Sequence, residues 1–263
     1  KGRLIGDIVE CGYHGLQFDC SGNCVLAPTQ SHIPPQASVR TYPAMEKYGF
    51  VWVWMGDPER ADESKIFEIP NFENPAWGKT DGGVREIDCH YLWVTDNLLD
   101  PSHVAWVHQS SFGAPGTDDT PLRIKTLDDG VVVSRWISDQ ALPPYYAPLV
   151  KFEGNCDRLQ HYEVRVPSVC INRSIFTPAG TGGQESELND KAYVMVSYNF
   201  MTPIDENMTT YYWLQHYNND PHDTVIAKQL NDGAVTAFNE DREILEAVHT
   251  GMKNTTTPKL DLA

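Results

Sequence analysis

The chain has 263 residues, 41% of them hydrophobic, enough for one large or two modest domains around a sizeable core. Its 36 acidic residues outnumber 20 basic ones, and a formal charge of −16 disfavours binding to nucleic-acid phosphates or to an anionic membrane surface. No apolar run reaches the length of a membrane span, and the six cysteines (11, 20, 24, 89, 156 and 170) form no regular disulfide framework, which points to a reducing, cytoplasmic setting.

In chain order, the first signals are short strands. Residues 7–11, 16–19, 38–42 and 48–55 are rich in aromatic and β-branched side chains, are separated by Gly, Pro and Ser, and enclose a hairpin turn over 19–23. They predict a small β domain. A turn followed by a charged run over 56–63 marks its boundary, giving expected domains of 1–58 and 59–263. Within the first lies Cys11-Gly12-Tyr13-His14, a Cys-x-x-His box in a glycine-punctuated turn. Cysteine and histidine three apart reach one metal from a tight loop, and the pair is half of a Rieske ligand set, which has two cysteines on one iron and two histidines on the other. Cys11, His14, Cys20 and Cys24 also compose a Cys3His zinc set, the local alternative.

Residues 84–94 predict a strand feeding a helix that starts near Asp96. Asp96, Asn97, Asp100, His103 and His108 follow in quick succession, with the two histidines five apart. At 3.6 residues per turn that separation swings the second side chain about 140° around the axis, so a shared metal needs a helix that kinks or ends between them. Pro101 is a candidate cause. Two imidazoles and a carboxylate form the facial triad of non-haem iron oxygenases; the plainer alternative is an amphipathic helix that buries Leu98, Leu99, Val104 and Val107 beside two hydrogen-bonded histidines.

A Gly, Ala, Pro, Thr and Asp loop over 113–120 comes next, then strands over 122–126, 131–137, 160–165, 169–176, 193–200 and 208–216. A long helical pattern runs from a cap near 220–223 to about Thr250. An antiparallel sheet with a long helix packed over it is an α+β layer arrangement. That helix offers Glu240, Asp241 and Glu243 as the carboxylate ligand. Pro143, Pro144, Tyr145, Tyr146, Phe176, Tyr198, Tyr212, Trp213 and His216 are candidates for an aromatic pocket, although strand aromatics more often fill a core. Arg135, Arg165 or Arg173 would suit a carboxylate-bearing substrate.

The stretches CGYHGLQFD, EKYGFVWVWMGDP, DNLLDPSH and FNEDREILEAV together resemble the Rieske non-haem iron oxygenases, and within them the vanillate O-demethylase oxygenase group with its dicamba-type and toluenesulfonate relatives. The resemblance spans nearly the whole chain. It implies a partial all-β Rieske domain followed by a helix-grip catalytic domain, with Cys11 and His14 on a [2Fe-2S] cluster and mononuclear Fe(II) on His103, His108 and Asp241. It assigns Asp100 to the link between that iron and a Rieske histidine of a neighbouring subunit in a homotrimer, and brings Asn97 towards the iron. The family's Cys-x-His box lies farther upstream than the ten residues before Cys11, so the chain is expected to be an internal fragment. The implied activity is hydroxylation or O-demethylation of a small aromatic substrate with O2 and electrons from NAD(P)H, delivered by a reductase or ferredoxin. A ring-hydroxylating dioxygenase and a metal-free helix-grip ligand binder are the alternatives. Relatives carry Arg-Asn after the aromatic strand where this chain has Tyr217-Asn218, which weakens any transfer of vanillate specificity.

Overall fold

A computed structural model describes residues 1–109, 112–113, 119–181 and 191–255. Most of the expected 113–120 loop therefore lies outside the described residues. The chain divides into two compact units, Lys1–Glu68 and Ile69–Ala263.

The first unit is all β. Strands β1 (Gly2–Ile5), β2 (Ile8–Cys11), β3 (Gln17–Phe18) and β4 (Cys24–Leu26) form an antiparallel sheet in sequence order, and β5 (Ala44–Lys47) pairs with β6 (Phe50–Val53) as a separate hairpin. The predicted turn joins β3 to β4, with Asp19 Oδ1 accepting from the Ser21 and Asn23 N–H groups. Residues 38–42 are not a strand: only Ser38 bridges, to Asn23, and the pairing strand begins at Ala44. β1 and β4 escape the pattern because their outward residues are apolar, Leu4 being 72% exposed, so no alternation betrays them.

The second unit is an eight-stranded antiparallel sheet with helices on one face. Its strands are β7 (Gly78–Lys79), β8 (Gly83–Ile87), β9 (Arg123–Leu127), β10 (Gly130–Gln140), β11 (Cys156–Arg165), β12 (Val169–Pro178), β13 (Tyr193–Asp205) and β14 (Met208–Tyr217). The order is β7-β14-β13-β12-β11-β10-β9, and β8 also pairs with β14. Helix α1 (Tyr91–Leu99) and the single turn α2 (Val104–Val107) precede β9, and α3 (Thr224–Lys253) closes the unit. The strand expected over 84–94 stops at Ile87. Tyr91-Leu92-Trp93-Val94 has strand-like composition, yet it folds as helix because Val94 and Leu98, four apart, bury one face. α3 begins as its cap predicts, Asp223 accepting from the N–H groups of Val225 and Ile226.

Helices and sheet meet in two apolar clusters. One joins Val94 and Leu98 of α1 and Phe238 and Leu245 of α3 to Tyr211 and Trp213 of β14. Phe238 stands edge-on to both of those rings at centroid distances of 5.1 Å, a favoured aromatic geometry. The other gathers Tyr146, Leu149, Phe176, Tyr193, Met195, Tyr217 and Leu230. Between them the sheet face is polar. Cross-strand partners share a face, and the register aligns Tyr162 with Asn172, Asn172 with Ser197, and Ser197 with Gln215. A sheet that lines its helix-facing surface with amides and hydroxyls is built around a cavity there.

Among the described residues, no helix is long and apolar enough to cross a membrane.

Candidate metal centre

α1 ends where Pro101 removes an N–H and crowds the preceding turn. Two inner-face side chains secure the elbow: Asn172 Nδ2 donates to the Leu98 carbonyl at 2.8 Å, and Arg135 Nη2 to the Pro101 carbonyl at 3.3 Å. Asn172 is itself held by Asn199, and Asn199 by the Tyr211 hydroxyl, so a buried polar chain supports the helix end. Asn172 thereby satisfies the Leu98 carbonyl of the last turn, and the Asp100 N–H those of Asp96 and Asn97.

His103 caps the start of α2 and His108 its end. This resolves the five-residue problem. His108 has left the helical conformation (φ −107°, ψ 37°), so its ring is free of the 140° swing expected at i,i+5, and the two imidazole centroids are 5.3 Å apart.

The third donor comes from α3. Its buried stripe is Leu230, Ala234, Ala237, Phe238, Asp241, Leu245 and His249, so Asp241 occupies a position where an amphipathic helix would place an apolar residue. Asp241 Oδ1 lies 3.1 Å from His108 Nε2 and 3.6 Å from His103 Nε2. One donor atom from each of the three falls within 4.8 Å of the others, the one such group of His, Cys, Asp or Glu among the described residues. Cys11, His14, Cys20 and Cys24 are not gathered into a set of this kind.

The donor set fits a divalent first-row metal. Two neutral imidazoles and one hard carboxylate suit Fe(II) and leave coordination positions open, and the buried His103 Nδ1 has no hydrogen-bond partner of its own. Burial lowers the His103 pKa, with His108 adding to the effect against the pull of Asp241. Burial also opposes protonation of His108, but Asp241 and then Glu240 outweigh it and the net shift is upward. Glu240 is a partner the sequence left unresolved: Oε2 lies 2.8 Å from His108 Nδ1. With Nε2 turned to the shared donor position, Nδ1–H donates to Glu240, which fixes tautomer and ring orientation. Glu243 is exposed and takes no part.

Asn97, on the last turn of α1, donates from Nδ2 to Asp241 Oδ1 at 3.2 Å. Asp100 is exposed at the end of α1, where Oδ1 accepts from the Ser102 N–H at 2.7 Å.

The three donors open onto a cleft enclosing about 580 Å³, its open mouth included. Leu98 and Phe238 form one wall, and Phe112 and Tyr146 another; the floor is sheet, with Arg158 and Tyr162 of β11, Asn172 and Ser174 of β12, Met195 and Ser197 of β13, and Gln215 of β14. Of the proposed aromatic lining, only Tyr146 borders the cleft. Tyr145 and Phe176 pack behind it, and Trp213 fills the adjoining core. Tyr198 and His216 alternate onto the opposite face of the sheet, where their rings meet at 5.5 Å. Arg165 pairs with Glu163 and Asp129, and Arg135 holds the elbow.

In the first unit, β2 delivers Cys11 to a turn closed by three backbone hydrogen bonds: Gly12 N–H to the Lys1 carbonyl, Cys11 N–H to Leu16, and Gly15 N–H to Cys11. Gly15 has φ 72°, in the left-handed region that glycine occupies without strain. Cys11 is half-buried and His14 exposed, its ring 3.8 Å from that of Tyr13. Cysteine and histidine are the two ligand types of a Rieske cluster, which takes two of each.

Residues 1–43 match the Rieske [2Fe-2S] domain, and residues 87–263 the vanillate O-demethylase oxygenase C-terminal domain. The toluene-4-sulfonate monooxygenase system iron-sulfur subunit of Comamonas testosteroni is 34% identical over 249 residues, covering 94% of this chain and 72% of that one. A vanillate O-demethylase oxygenase subunit of Pseudomonas sp. is 33% identical over 241 residues, 90% of this chain and 72% of its own length. Dicamba monooxygenase bound to 3,6-dichlorosalicylic acid has the same fold, with a TM-score of 0.88 at 24% identity over 100% of this chain and 77% of that one. The chain belongs to the vanillate O-demethylase oxygenase family of Rieske non-haem iron oxygenases.

Proposed function

We propose that the chain is the terminal oxygenase component of a cytoplasmic multicomponent monooxygenase that O-demethylates or hydroxylates a small aromatic compound. The observation that carries this is the convergence of His103, His108 and Asp241 within 4.8 Å at the edge of a polar-floored cleft. These residues would hold Fe(II), and Cys11 and His14 would supply their half of the [2Fe-2S] ligands. Iron held there supplies the reductive activation of O2 with electrons passed on from NAD(P)H by a separate reductase or ferredoxin.

The protein's own part is orientation and exclusion. Glu240 accepts a hydrogen bond from His108 Nδ1–H and keeps Nε2 available, and Asn97 donates to the same Asp241 oxygen that faces the two imidazoles. Leu98, Phe112, Tyr146 and Phe238 keep the cleft walls dry where an aromatic ring would lie. For an aryl methyl ether, insertion of one oxygen atom into a methyl C–H bond gives a hemiacetal that collapses to a phenol and formaldehyde. The second oxygen atom leaves as water with two electrons and two protons.

The exposed positions of Asp100 and His14 support a head-to-tail homotrimer in which Asp100 of one subunit meets His14 of the next. A carboxylate between two ligand histidines accepts an N–H from each and couples the cluster to the iron. On this reading residues 1–58 are the Rieske part and 59–263 the catalytic part.

Turnover of a methoxybenzoate panel by the full-length protein with NAD(P)H and a reductase tests the proposal, following oxygen uptake and formaldehyde. Coupled formaldehyde release is expected, and oxygen uptake with a hydroxylated ring instead identifies hydroxylation. An iron content unchanged by His103→Ala overturns the ligand assignment.

A further inference from the structure

The cleft holds a cation that no described carboxylate neutralises. Arg158 is 1% exposed, and its guanidinium carbon lies 5.4 Å from the centroid of the Tyr146 ring and 5.2 Å from that of Phe176. Nη1 donates to the Phe112 carbonyl at 3.2 Å, and the buried Nε has no acceptor. The adjacent carboxylate is committed elsewhere: Asp157 accepts the Asp139 N–H on one oxygen and the Gly180 N–H on the other. Arg165, by contrast, has both Glu163 and Asp129.

A buried guanidinium cannot relieve its desolvation by losing a proton, so it needs an anion or a compensating set of dipoles and aromatic faces. Here the two rings, the Phe112 carbonyl and a hydrogen bond with the Tyr146 hydroxyl give partial compensation, and the guanidinium stays on the cleft floor with its Nε unmatched. Its charge is felt in the cavity: burial raises the pKa of the Tyr146 and Tyr162 hydroxyls, and Arg158 opposes both shifts. Further along the same floor the buried Gln215 Oε1 is also unpartnered. The cleft therefore has two poles, the imidazole and carboxylate donors on the helix side and a lone cation on the sheet side.

We propose that Arg158 is a specificity-determining residue that binds a carboxylate or sulfonate on the aromatic substrate and leaves the opposite part of the ring to the His103, His108 and Asp241 site. This assignment rests on the oxygenase reading above for its chemistry, but not for its binding. A planar guanidinium fork matches either anion through paired charge-assisted hydrogen bonds. The ring of such a ligand lies against Tyr146 and Phe112, the aromatic walls next to Arg158.

The test is calorimetric binding to the metal-free, full-length protein of ortho, meta and para methoxybenzoates and methoxybenzenesulfonates against the matched neutral methoxybenzamides. The best anion of either class is expected to bind about 10–100-fold more tightly than its amide, the range for a charged hydrogen-bonded pair. Arg158→Gln removes that preference with the amide affinity retained, and Arg158→Lys restores part of it. Amides that bind as tightly as both anion classes, absence of binding by every compound, or a preference that survives in Arg158→Gln each overturn the proposal. Should the variants fail to fold, the comparison of anion with amide in the unaltered protein decides alone. Anion-selective binding without oxygen uptake by the iron-loaded holoenzyme defeats the oxygenase reading and leaves Arg158 standing, whereas turnover with no anion preference does the reverse.

Discussion

His14 is exposed on a turn held by three backbone hydrogen bonds, whereas the His108 side chain is 3% exposed and contacts Glu240, Asp241 and Phe112. The first arrangement leaves an imidazole with little protein around it, so a metal held there would meet another surface next. The second fixes tautomer, ring plane and distance through Glu240 and Asp241 of α3 and the ring of Phe112. An electron-transfer centre needs an outward edge, and an oxidising centre needs walls. The two regions differ in the way those two tasks differ.

The sharpest way to break that comparison is to delete one ligand in each region. Asp241→Ala is expected to lower the affinity for mononuclear iron by more than the about 100-fold that bounds loss of an outer partner, with no change in the optical signature of the cluster. His14→Ala is expected to abolish that signature and leave mononuclear iron intact. Metal analysis and visible spectra after anaerobic reconstitution separate the two, and one substitution that removed both would show the regions to be interdependent. Next in size is Glu240→Gln. Its 2.8 Å contact with His108 Nδ1 gives it the role of an outer carboxylate, so iron affinity falls about 10–100-fold while the fold is kept. A competitive chelator titration measures this.

These effects bear on how far the sequence could be read. The four long strands from β11 to β14 were legible as runs of aromatic and β-branched residues, although β13 is buried on both faces over its first nine residues, and α3 was legible from its cap and its 3.6-residue period. His103 and His108 were legible as residue types, whereas Asp241 stood apart from Glu240 and Glu243 only through the family resemblance, its place on a buried apolar stripe being visible in the fold alone. The escape of His108 from helical geometry was not, because it depends on the Gly113 N–H bond to the His108 carbonyl and on a carboxylate 132 positions away in sequence. Arg158 was missed for a different reason. Alternation along β11 puts Arg158 and Tyr162 on one face and Arg165 on the other, but which face meets the cleft follows only from the register with β12.

Packing over the buried site gives the next prediction. Gly233 on α3 lies under the Tyr145 ring, and a Cβ there would run into that ring, whereas a Cβ on Gly251 of the same helix would meet nothing. Tyr145 also packs edge-on to Phe112 at 4.5 Å, behind the cleft wall. Gly233→Ala is expected to destabilise by about 1–3 kcal/mol, as overpacking does, and Gly251→Ala to stabilise by about 0.5–1 kcal/mol through helix propensity. Urea unfolding curves of the pair settle the sign at each position.

The smallest expected effects are changes in slope with pH, and a buried histidine and a half-buried glutamate on the sheet act in different windows. His216 packs against the rings of Phe72 and Tyr198 and opposite Lys79 in the ladder; burial first, and the Lys79 charge second, push its pKa from 6.5 down to about 4. The folded state thus holds a neutral imidazole that the unfolded chain protonates more readily, so the contribution is complete above pH 6.5 and is lost as pH falls from there towards 4. Glu163 is held at about 2, below its ordinary 4.5, first by the hydrogen bond from His161 and then, against burial, by Arg165. Its contribution is complete above pH 4.5 and is lost as pH falls towards 2. His216→Phe should therefore flatten the stability profile between pH 6.5 and 4, and Glu163→Gln only below 4.5. If unfolding free energies of both variants ran parallel to the parent across their own windows, the acid sensitivity of this unit would have to arise elsewhere, and the metal-free imidazoles of His103 and His108 would be the next place to measure.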